Sequence, residues 1–354
     1  MKQANRRSLS NESIPLVSVV MPNYNTPEPY LRCAIESILS QTYANLELII
    51  IDDASTGNDV DVIRSYKDDR ITLLRNEVNR HIAYTMNRGI GVARGDYIAR
   101  MDSDDISLPW RIEKQVRFMQ RRRDIDIVCA QARMFGKKKG VFAPHLTRPE
   151  HMRTEIFFGC SVVHPTVMFR TSFIREHALR YKDNLCYRAA EDYELWSRSV
   201  YLGRICEYPR VLLYYRVHSL QISSASSGKQ ITSTRRIRAD QLRLLGIVPS
   251  EQEALLHDSF CTESAKSGFS LAETEAWARR MLAANAQTGA LPRGCFKHAV
   301  VQRYFVTAVK HLLARRVSLR GLIQLRLSRT MLLPFYFPGY LMRFLFSKRL
   351  NRVI

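Results

Sequence analysis

The sequence predicts an α/β protein in which helices flank a mostly parallel sheet, followed by a basic, helical C-terminal region. Short runs of β-branched residues alternate with segments of helical pattern through the first half, as in consecutive crossover units of a parallel sheet. Later segments combine helical patterns with an excess of positive charge. The 354 residues, 46% of them hydrophobic, suffice for one large or two modest domains and argue against a disordered chain or a polytopic membrane protein.

The first half contains strand and helix candidates in alternation. The predicted strands are Leu16–Met21, Leu46–Ile51, Ile71–Leu74, Tyr97–Met101 and Ile125–Cys129. The predicted helices are Pro29–Gln41, Asp59–Lys67, Ile82–Ala93 and Pro109–Arg122. Prolines open the first and the last of these helices, where a residue without an N–H group fits the first turn. This order predicts βαβ units.

The second half is less regular. Residues 136–153 are polar and are predicted to form a loop, and residues 156–169 form an apolar run. A helix is predicted at Glu191–Leu202 and a pair of strands at Ile205–Val217. The serine-rich stretch Ser219–Ser233 indicates a boundary or a mobile segment, after which the pattern is helical.

The charge distribution divides the chain. The 54 Lys and Arg residues exceed the 33 Asp and Glu residues by 21, and after Glu275 the sequence has 15 basic residues and no acidic one. We therefore expect an anionic partner for this end, either a phosphate backbone or acidic lipid head groups. The predicted parts of the chain are a flexible segment at 1–14, an α/β domain at 15–225 and a basic helical region at 226–354.

The run of residues 331–346 is apolar and aromatic, but Pro334, Pro338 and Arg343 interrupt it. A membrane-spanning helix needs about 20 apolar residues, so this run is too short. Arginines flank it, which is typical of an interfacial segment on anionic lipid. We predict that segment 326–354 lies on a membrane surface; the alternative is that it packs on the α/β domain as an ordinary pair of terminal helices.

The cysteines and the N-terminus indicate a cytoplasmic location. The seven cysteines are odd in number and form no C-x-x-C pair, which favours a reducing compartment. No apolar stretch follows the charged first residues, so we predict no secretory signal. No G-x-x-x-x-G-K-[ST] motif occurs, which argues against a P-loop kinase or ATPase.

A run of carboxylates follows the fourth predicted strand. Asp102, Asp104 and Asp105 stand at its carboxyl end, the position where open α/β sheets bind ligands. Side chains alternate along extended chain, so Asp102 and Asp104 can face the same side. Two carboxylates repel each other, and a divalent cation is a physical reason to keep both ionised. Taken alone, the run is equally consistent with a solvated turn or a helix cap.

Two further polar clusters come directly after strands. The first strand ends in the sequence M-P-N-Y-N, residues 21–25, and the second ends in I-D-D-A-S, residues 51–55. Carboxyl ends of parallel strands meet at one edge of a sheet. The three clusters together therefore predict a single crevice.

The ordered motifs resemble those of the inverting glycosyltransferase family 2, which has the GT-A fold. The resemblance begins with V-S-V-V-M-P-N-Y-N, L-I-I-I-D-D-A-S and N-R-G-I-G-V-A-R-G-D-Y-I-A-R-M-D-S-D-D. It continues with H-P-T-V-M-F-R at 164–170, E-D-Y-E-L-W at 191–196 and Y-R-V-H at 215–218, and covers about residues 15–225. It implies a Rossmann-like mixed sheet flanked by helices, and the transfer of a sugar from a nucleotide-diphosphate donor to an acceptor hydroxyl.

The resemblance also implies roles for residues in the first half. The aspartate of the first pair, Asp52, would accept a hydrogen bond from the nucleotide base, with Asp53 beside it. The wall and floor of the base pocket would be formed by Pro22, Tyr24 and Asn25, although an aromatic residue such as Tyr24 also packs under loops for purely structural reasons.

Arg80 lies where the family often places a residue near the nucleotide, but His81 stands where the family commonly has glycine.

In the acidic run, the resemblance places Asp102 on the ribose and Asp104 on a metal ion, with Asp105 shaping the site. His218 would approach the metal or the diphosphate; a lone histidine is as often a structural residue. The cofactor implied is a divalent metal, Mn²⁺ or Mg²⁺, both of which suit oxygen ligands and phosphates.

The pair Glu191–Asp192 opens a predicted helix, and the corresponding pair of the family supplies the general base. We assign Asp192 as the base and Glu191 as the reserve; the alternative is that both merely favour the helix N-terminus. With no second carboxylate nucleophile nearby, a direct displacement with inversion is expected. The Q-x-x-R-W sequence of the processive synthases and their several spans do not occur, so we expect transfer of one sugar, or few, per encounter.

The sequence thus predicts a metal-dependent inverting glycosyltransferase, peripheral on the inner face of the cell membrane, with a lipid-linked or cell-surface glycan as acceptor. A rival interpretation is a basic protein that binds nucleic acid or membranes through a catalytically inactive scaffold. We expect no nucleic-acid partner, because the acidic clusters would repel a polyanion and basic residues do not alternate with aromatic ones. The sugar, the base of the nucleotide and the oligomeric state are not predicted.

Overall fold

The computed structural model describes residues 14–218, 227–264 and 268–314. Within these ranges a mixed sheet of nine strands has the order β3-β2-β1-β4-β8-β6-β9-β5, and β7 pairs with β6. The strands are β1 Val17–Asn23, β2 Leu46–Asp52, β3 Ile71–Arg75, β4 Tyr97–Arg100, β5 Ile106–Ser107, β6 Ile127–Gly136, β7 Gly140–Phe142, β8 Met168–Arg170 and β9 Ile205–Val217. The predicted mixed sheet is confirmed.

Helices cover the sheet and continue beyond it. In the first half these are α1 Glu28–Leu39, α2 Asp59–Arg64, α3 His81–Val92 and α4 Arg111–Arg121. The later ones are α5 Pro149–Phe158, α6 Thr171–Glu176, α7 Glu191–Leu202, α8 Ser227–Leu244, α9 Glu251–Cys261, α10 Leu271–Thr288 and α11 Arg293–Leu313. The four predicted helices of the first half begin within two residues of α1 to α4. The part of the chain that is described contains no helix long and apolar enough to cross a membrane.

The parallel strands β1, β2, β3 and β4 form the half of the sheet that follows the βαβ prediction. All residues of β1 and β2 are buried, as expected for parallel strands covered on both faces. Alternate residues of β1 enter two different cores, with Val19 facing α1, α2 and α4 and Val20 facing α3 and α7. The sequence is mainly apolar here because both faces need apolar residues, and the buried polar side chains of Ser18 and Glu47 hydrogen-bond to each other.

The second half departs from the prediction. The segment predicted as a strand pair is the single strand β9, and a bulge between Tyr208 and Val211 accommodates Pro209, which cannot donate a ladder hydrogen bond. The predicted loop at 136–153 contains β7 and the start of α5, which opens with Pro149 at its first turn. The apolar run at 156–169 is divided among the end of α5, a 3₁₀ turn at His164–Thr166 and β8.

The predicted helical C-terminal region is helical over the described residues beyond 226. Its core joins Leu242, Trp277 and Phe296 to Phe157 and Phe158 of α5, so α5 is the element on which these helices pack. Of the stretch Ser219–Ser233, which was predicted to be a boundary or a mobile segment, residues 227–233 form the first turns of α8. Residues 1–13 and the predicted membrane-surface segment 326–354 lie outside the described residues.

Two glycines of α3 provide a matched test of how tightly this helix packs on the sheet. A Cβ atom at Gly89 would lie 2.5 Å from Cγ1 of Val20 and 2.7 Å from Cδ1 of Ile51, whereas one at Gly91 would meet nothing within 4 Å. Overpacking costs about 1–3 kcal/mol, and replacing a helical glycine by alanine returns up to about 1 kcal/mol. We expect Gly89→Ala to lower the free energy of unfolding by about 1–2 kcal/mol and Gly91→Ala to raise it, both measured by urea titration. Equal effects of the two variants would contradict this packing.

Candidate active site

The predicted clusters meet at one edge of the sheet. In the register of β1 and β2, Asn23 lies opposite Asp52, and β4 on the other side of β1 leads into the acidic run. Loops around this edge hold non-glycine residues in the left-handed region, where backbone strain is stored at functional sites. These residues are Asn25 (φ 48°), Ala54 (φ 61°), His81 (φ 63°) and Ala189 (φ 64°).

The carboxylate of Asp52 is fully buried and fully engaged. Its Oδ1 accepts a hydrogen bond from Nδ2 of Asn23 at 3.0 Å, and its Oδ2 accepts one from the Ser55 amide at 3.1 Å. Nε of Arg75 lies 3.3 Å from Oδ2, and the Arg75 side chain is 56% exposed. A nucleotide base would reach Asp52 only after Arg75 moves. Asn23 also donates to Asp59 at 3.0 Å, so it joins three elements of this edge.

Asp53 holds the next loop in place. Its Oδ1 accepts hydrogen bonds from Nδ2 of Asn76 at 2.6 Å and from the amide of Arg80 at 2.8 Å. The Arg80 guanidinium stacks on the Tyr84 ring at 4.1 Å and lies 3.9 Å from Asp183. In this structure Asp53 therefore orders the chain that carries Arg80, and its role in binding a nucleotide stays a prediction.

The M-P-N-Y-N motif contributes both buried and exposed residues. Pro22 is buried within β1, whereas Tyr24 is 45% exposed at the mouth of the cleft. Oδ1 of Asn25 accepts a hydrogen bond from the Thr56 amide at 2.8 Å, which ties the loop after β1 to the loop after β2. The structure thus brings the predicted base pocket residues to one side of the cleft, with Tyr24 as the free aromatic surface.

The acidic run and His218 come together on the other side. Carboxylate oxygens of Asp102, Asp104 and Asp105 all lie within 4.8 Å of one another. Nε2 of His218, at the end of β9, lies 2.9 Å from Oδ2 of Asp104. The two predicted metal ligands, more than a hundred residues apart in sequence, are therefore adjacent.

The environment of the acidic run opposes negative charge. Burial, together with repulsion from Asp104, raises the pKa of Asp102 to about 6 against the opposing effect of Arg100. Burial and the charges of Asp102 and Asp104 raise the pKa of Asp105 well above its usual range. Oδ2 of Asp105 is buried with no hydrogen-bond partner among the described residues. An uncompensated oxygen among clustered carboxylates is a donor set that suits a hard divalent cation, so the residues present fit such an ion.

Two arginines that the sequence analysis did not single out organise this cluster. Arg100 is buried, forms an ion pair with Asp102, and its charge also favours ionisation of Asp105. Nε of Arg216 donates to the carbonyl oxygen of Asp104 at 2.7 Å, and its guanidinium lies over the rings of Tyr30 at 4.0 Å and Phe135 at 4.5 Å. Both arginines stand inside motifs of the family resemblance, Y-I-A-R-M-D and Y-R-V-H, and this position is the feature of the sequence that could have pointed to them.

Glu191 and Asp192 open α7 as predicted. Glu191 accepts a hydrogen bond from the Ala189 amide at 3.0 Å, and Oδ2 of Asp192 accepts one from Sγ of Cys160 at 3.6 Å. Burial raises the pKa of both carboxyls, and Arg100 opposes the shift at Asp192. The charge of Asp192 in turn raises the pKa of Asp102, which shows that the two motifs are within electrostatic reach.

A pocket of about 100 Å³ lies between the start of α3 and the start of α7. Its lining mixes cationic, anionic and amide side chains with one exposed leucine. The lining residues are His81, Ala83, Lys182, Asp183, Asn184, Leu185, Arg188 and Glu191. Side chains of this kind both donate and accept hydrogen bonds, which suits a polar ligand beside Glu191.

Comparison with known proteins identifies the class. The sequence profile of glycosyl transferase family 2 matches residues 18–181. An uncharacterized glycosyltransferase of Haemophilus influenzae is 32% identical over 244 residues, which are 65% of this chain and 74% of that protein. The chain therefore belongs to glycosyltransferase family 2, and it is a nucleotide-sugar glycosyltransferase. This favours the enzyme over the nucleic-acid-binding interpretation.

Two further matches are a named relative and a solved structure. The Escherichia coli protein WfaP, named as UDP-Glc:alpha-D-GlcNAc-diphosphoundecaprenol beta-1,3-glucosyltransferase, is 30% identical over 215 residues, 59% of this chain and 80% of its own. The crystal structure of S. aureus TarS 1-349 in complex with UDP superposes with a TM-score of 0.56 at 17% identity, over 85% of this chain and 91% of that chain. This second match confirms the predicted GT-A type fold.

Replacing Asp105 tests the electrostatic strain in the cluster. A carboxyl whose pKa is raised on folding lowers the stability of the folded state. This loss grows as pH rises from about 4, the ordinary pKa, to the folded pKa, and it persists above that pH. We expect Asp105→Asn to raise Tm at pH 7 by about 2–4 °C, the shift that about 1 kcal/mol gives in a domain of 150–250 residues. The gain should be mostly lost at pH 4, because the wild-type carboxyl is then protonated in the folded state and about half protonated in the unfolded chain. Thermal scans from pH 4 to 8 measure it.

The exposed Asp69→Asn variant is the control for the change in net charge. The explanation would be wrong if Asp105→Asn and Asp69→Asn shifted Tm equally, or if the gain did not depend on pH.

Proposed function

We propose that this glycosyltransferase moves a single sugar from a nucleotide-diphosphate donor to an acceptor hydroxyl, with inversion at the anomeric carbon and with a divalent metal bound at Asp104 and His218. The observation that supports it is the cluster of Asp102, Asp104 and Asp105, with Asp192 within electrostatic reach of Asp102. A cluster that can hold a cation and a nearby carboxylate that can act as base would supply the two functions that a single displacement of a diphosphate requires.

The residues proposed for the donor lie along the carboxyl edge of the sheet. Tyr24 offers an exposed ring on which a base can stack, Asn25 and Pro22 shape the pocket, and Asp52 accepts from the base once Arg75 is displaced. The side chain of Arg80 and Asp53 lie at the loop between this pocket and the start of α3. Nothing in the geometry selects the base, although WfaP carries a UDP-sugar in its name.

The diphosphate would lie against the acidic run. The chemistry supplied by Mn²⁺ or Mg²⁺ held there is neutralisation of the diphosphate as negative charge builds on the leaving oxygen. Asp102 is proposed to contact the ribose, while Arg216 fixes the backbone of Asp104. Before a metal binds, Arg100 partly neutralises the negative charge of the carboxylates. Its buried guanidinium forms an ion pair with Asp102 and favours the ionised forms of Asp105 and Asp192.

Asp192 is proposed as the general base. The acceptor oxygen forms the new bond to the anomeric carbon as the bond to the diphosphate oxygen breaks, and its proton passes to the Asp192 carboxylate. A single displacement inverts the configuration, since the nucleophile enters opposite the leaving group. Burial raises the pKa of Asp192, which makes it a stronger base than an exposed aspartate.

The acceptor is proposed to be a lipid-linked or cell-surface glycan intermediate. WfaP acts, by its name, on a sugar linked to diphosphoundecaprenol, and another relative, the 30% identical WbnJ of Escherichia coli, is named as an O-antigen biosynthesis glycosyltransferase. The 15 positive charges after Glu275 fit an enzyme that is peripheral on the inner face of the membrane, through segment 326–354. This location would bring the cleft to its substrate.

The direct test of the function is incubation of the purified protein with Mn²⁺ and a panel of nucleotide sugars, with release of the nucleotide diphosphate as the readout. We expect slow hydrolysis of one donor, lost on addition of EDTA and restored by excess Mn²⁺. Asp104→Asn should reduce the rate by at least about 100-fold and raise the Mn²⁺ concentration needed, because one charged ligand is gone. Turnover that is unaffected by EDTA, or full activity of Asp104→Asn, would refute the metal assignment.

The base assignment has its own comparison. Asp192→Asn should lower kcat by about 10²- to 10⁴-fold while the KM for the donor changes little, since general-base catalysis is worth that factor and the donor contacts remain. In the wild type, kcat/KM should rise with pH through the raised pKa of this carboxyl, because only the ionised form accepts the proton. The matched variant Glu191→Gln should retain most activity. If Glu191→Gln instead abolishes transfer while Asp192→Asn does not, Glu191 is the base.

A further inference from the structure

A face of the sheet beside the cleft carries exposed aromatic, aliphatic and basic side chains. Arg133 of β6 lies opposite Val141 of β7 and, on its other side, opposite Tyr214 of β9. All three side chains are exposed, Val141 by 40% and Tyr214 by 36%. We call this row, together with the turn Lys137–Lys139 that joins β6 to β7, the rim face.

The rim face is continuous with the proposed metal site. The ring of Phe135 lies 6.3 Å from that of Tyr214 and 4.5 Å from the guanidinium of Arg216, which in turn holds Asp104. The amide of Lys137 donates to the carbonyl oxygen of Val217 at 2.9 Å, immediately before His218. The lysine turn is therefore fixed at the rim of the cleft.

The charge of this surface has one sign. Residues 133–142 contain Arg133 and three lysines and no acidic residue, and residues 211–217 contain Arg216 and no acidic residue. Lys137, Lys138 and Lys139 are all exposed. Basic residues attract the anionic surface of a bilayer, and tyrosine settles at the head-group level with its ring in the apolar zone. The combination matches the chemistry of an acidic lipid surface.

We propose that the rim face docks on an anionic lipid surface and so holds the mouth of the cleft against the bilayer. The proposal rests on the proposed function in one respect: a lipid-linked acceptor is the reason for this enzyme to lie on a membrane. It rests on different residues from the predicted segment 326–354. A membrane fits better than a nucleic acid, because the exposed side chains of Val141 and Tyr214 match the apolar part of the head-group layer, whereas a phosphate backbone offers them no apolar partner.

The test is co-sedimentation of the full-length protein with vesicles of phosphatidylglycerol and phosphatidylcholine, with pure phosphatidylcholine vesicles as reference. The variant replaces all three lysines of the turn by glutamine: K137Q, K138Q and K139Q together. Its matched control removes three exposed cations outside the rim face. These are Arg64 in α2, Lys67 in the loop between α2 and β3, and Lys114 in α4, replaced as R64Q, K67Q and K114Q. Each surface lysine contributes about a fivefold change in binding, so we expect a loss of roughly 100-fold for the first variant and a much smaller loss for the control.

Tyr214→Ser should weaken vesicle binding severalfold at unchanged net charge, and Tm of each variant shows whether it is folded. The proposal is wrong if the lysine variant binds the anionic vesicles like the wild type, or if the control loses as much. It is also wrong if a soluble polyphosphate displaces the wild type from vesicles and Tyr214→Ser has no effect, because the surface is then a general polyanion site. Failure of the proposed function would appear separately, as absence of sugar transfer in every variant.

Discussion

Mutual repulsion of carboxylates at one edge of the sheet is the constraint on which the site depends. Asp102, Asp104 and Asp105 lie within 4.8 Å of one another, and Asp192 approaches from α7. Burial makes each ionised carboxyl less favourable. The buried guanidinium of Arg100 is a counter-charge inside the protein. The Arg111 guanidinium donates a hydrogen bond to the Arg100 carbonyl oxygen at 2.7 Å, which fixes the strand end that carries Arg100. A folded state that carries this repulsion at neutral pH gives up stability, and the proposed cation would relieve the repulsion.

The mixed topology of the sheet is what assembles the cleft. The parallel half, β3-β2-β1-β4, delivers the donor-side residues at its carboxyl edge. The antiparallel strand β8 then separates β4 from β6, and the long strand β9 runs past β6 to pair with β5 just after the acidic run. This pairing of β9 with Ile106 and Ser107 brings His218 to Asp104. The bulge at Pro209 lets one strand serve both the core of the sheet and the rim of the site.

The sequence was sufficient for the strands of the parallel half and for the position of the polar residues that follow them. Mainly apolar runs and their polar ends located β1, β2, β3 and β4. The acidic run was identified by its position after a strand together with the two other polar clusters and the family motifs. The sequence was insufficient for β9, because Pro209 and Arg210 in the middle of the strand are typical of a turn. The bulge that accommodates them is defined only by pairing with the neighbouring strand β6. The sequence prediction also missed Arg100 and Arg216. Their importance depends on burial and on contacts with carboxylates far away in sequence, and neither is encoded in local pattern.

The two walls of the cleft differ in what fixes them, and this has a consequence for specificity. The donor wall is tied by hydrogen bonds between strand ends, such as Asn23 to Asp52 and Asp53 to the Arg80 amide, so a substitution there disturbs several elements at once. The opposite wall is formed by the segment before α7, with its exposed residue Leu185, whose side chain few others surround. Side chains there can change without loss of the sheet, because connecting segments at the surface tolerate change better than strand ends. We therefore expect acceptor recognition to diverge among relatives that keep one donor chemistry, and we expect its determinants in this segment rather than in the strand-end motifs.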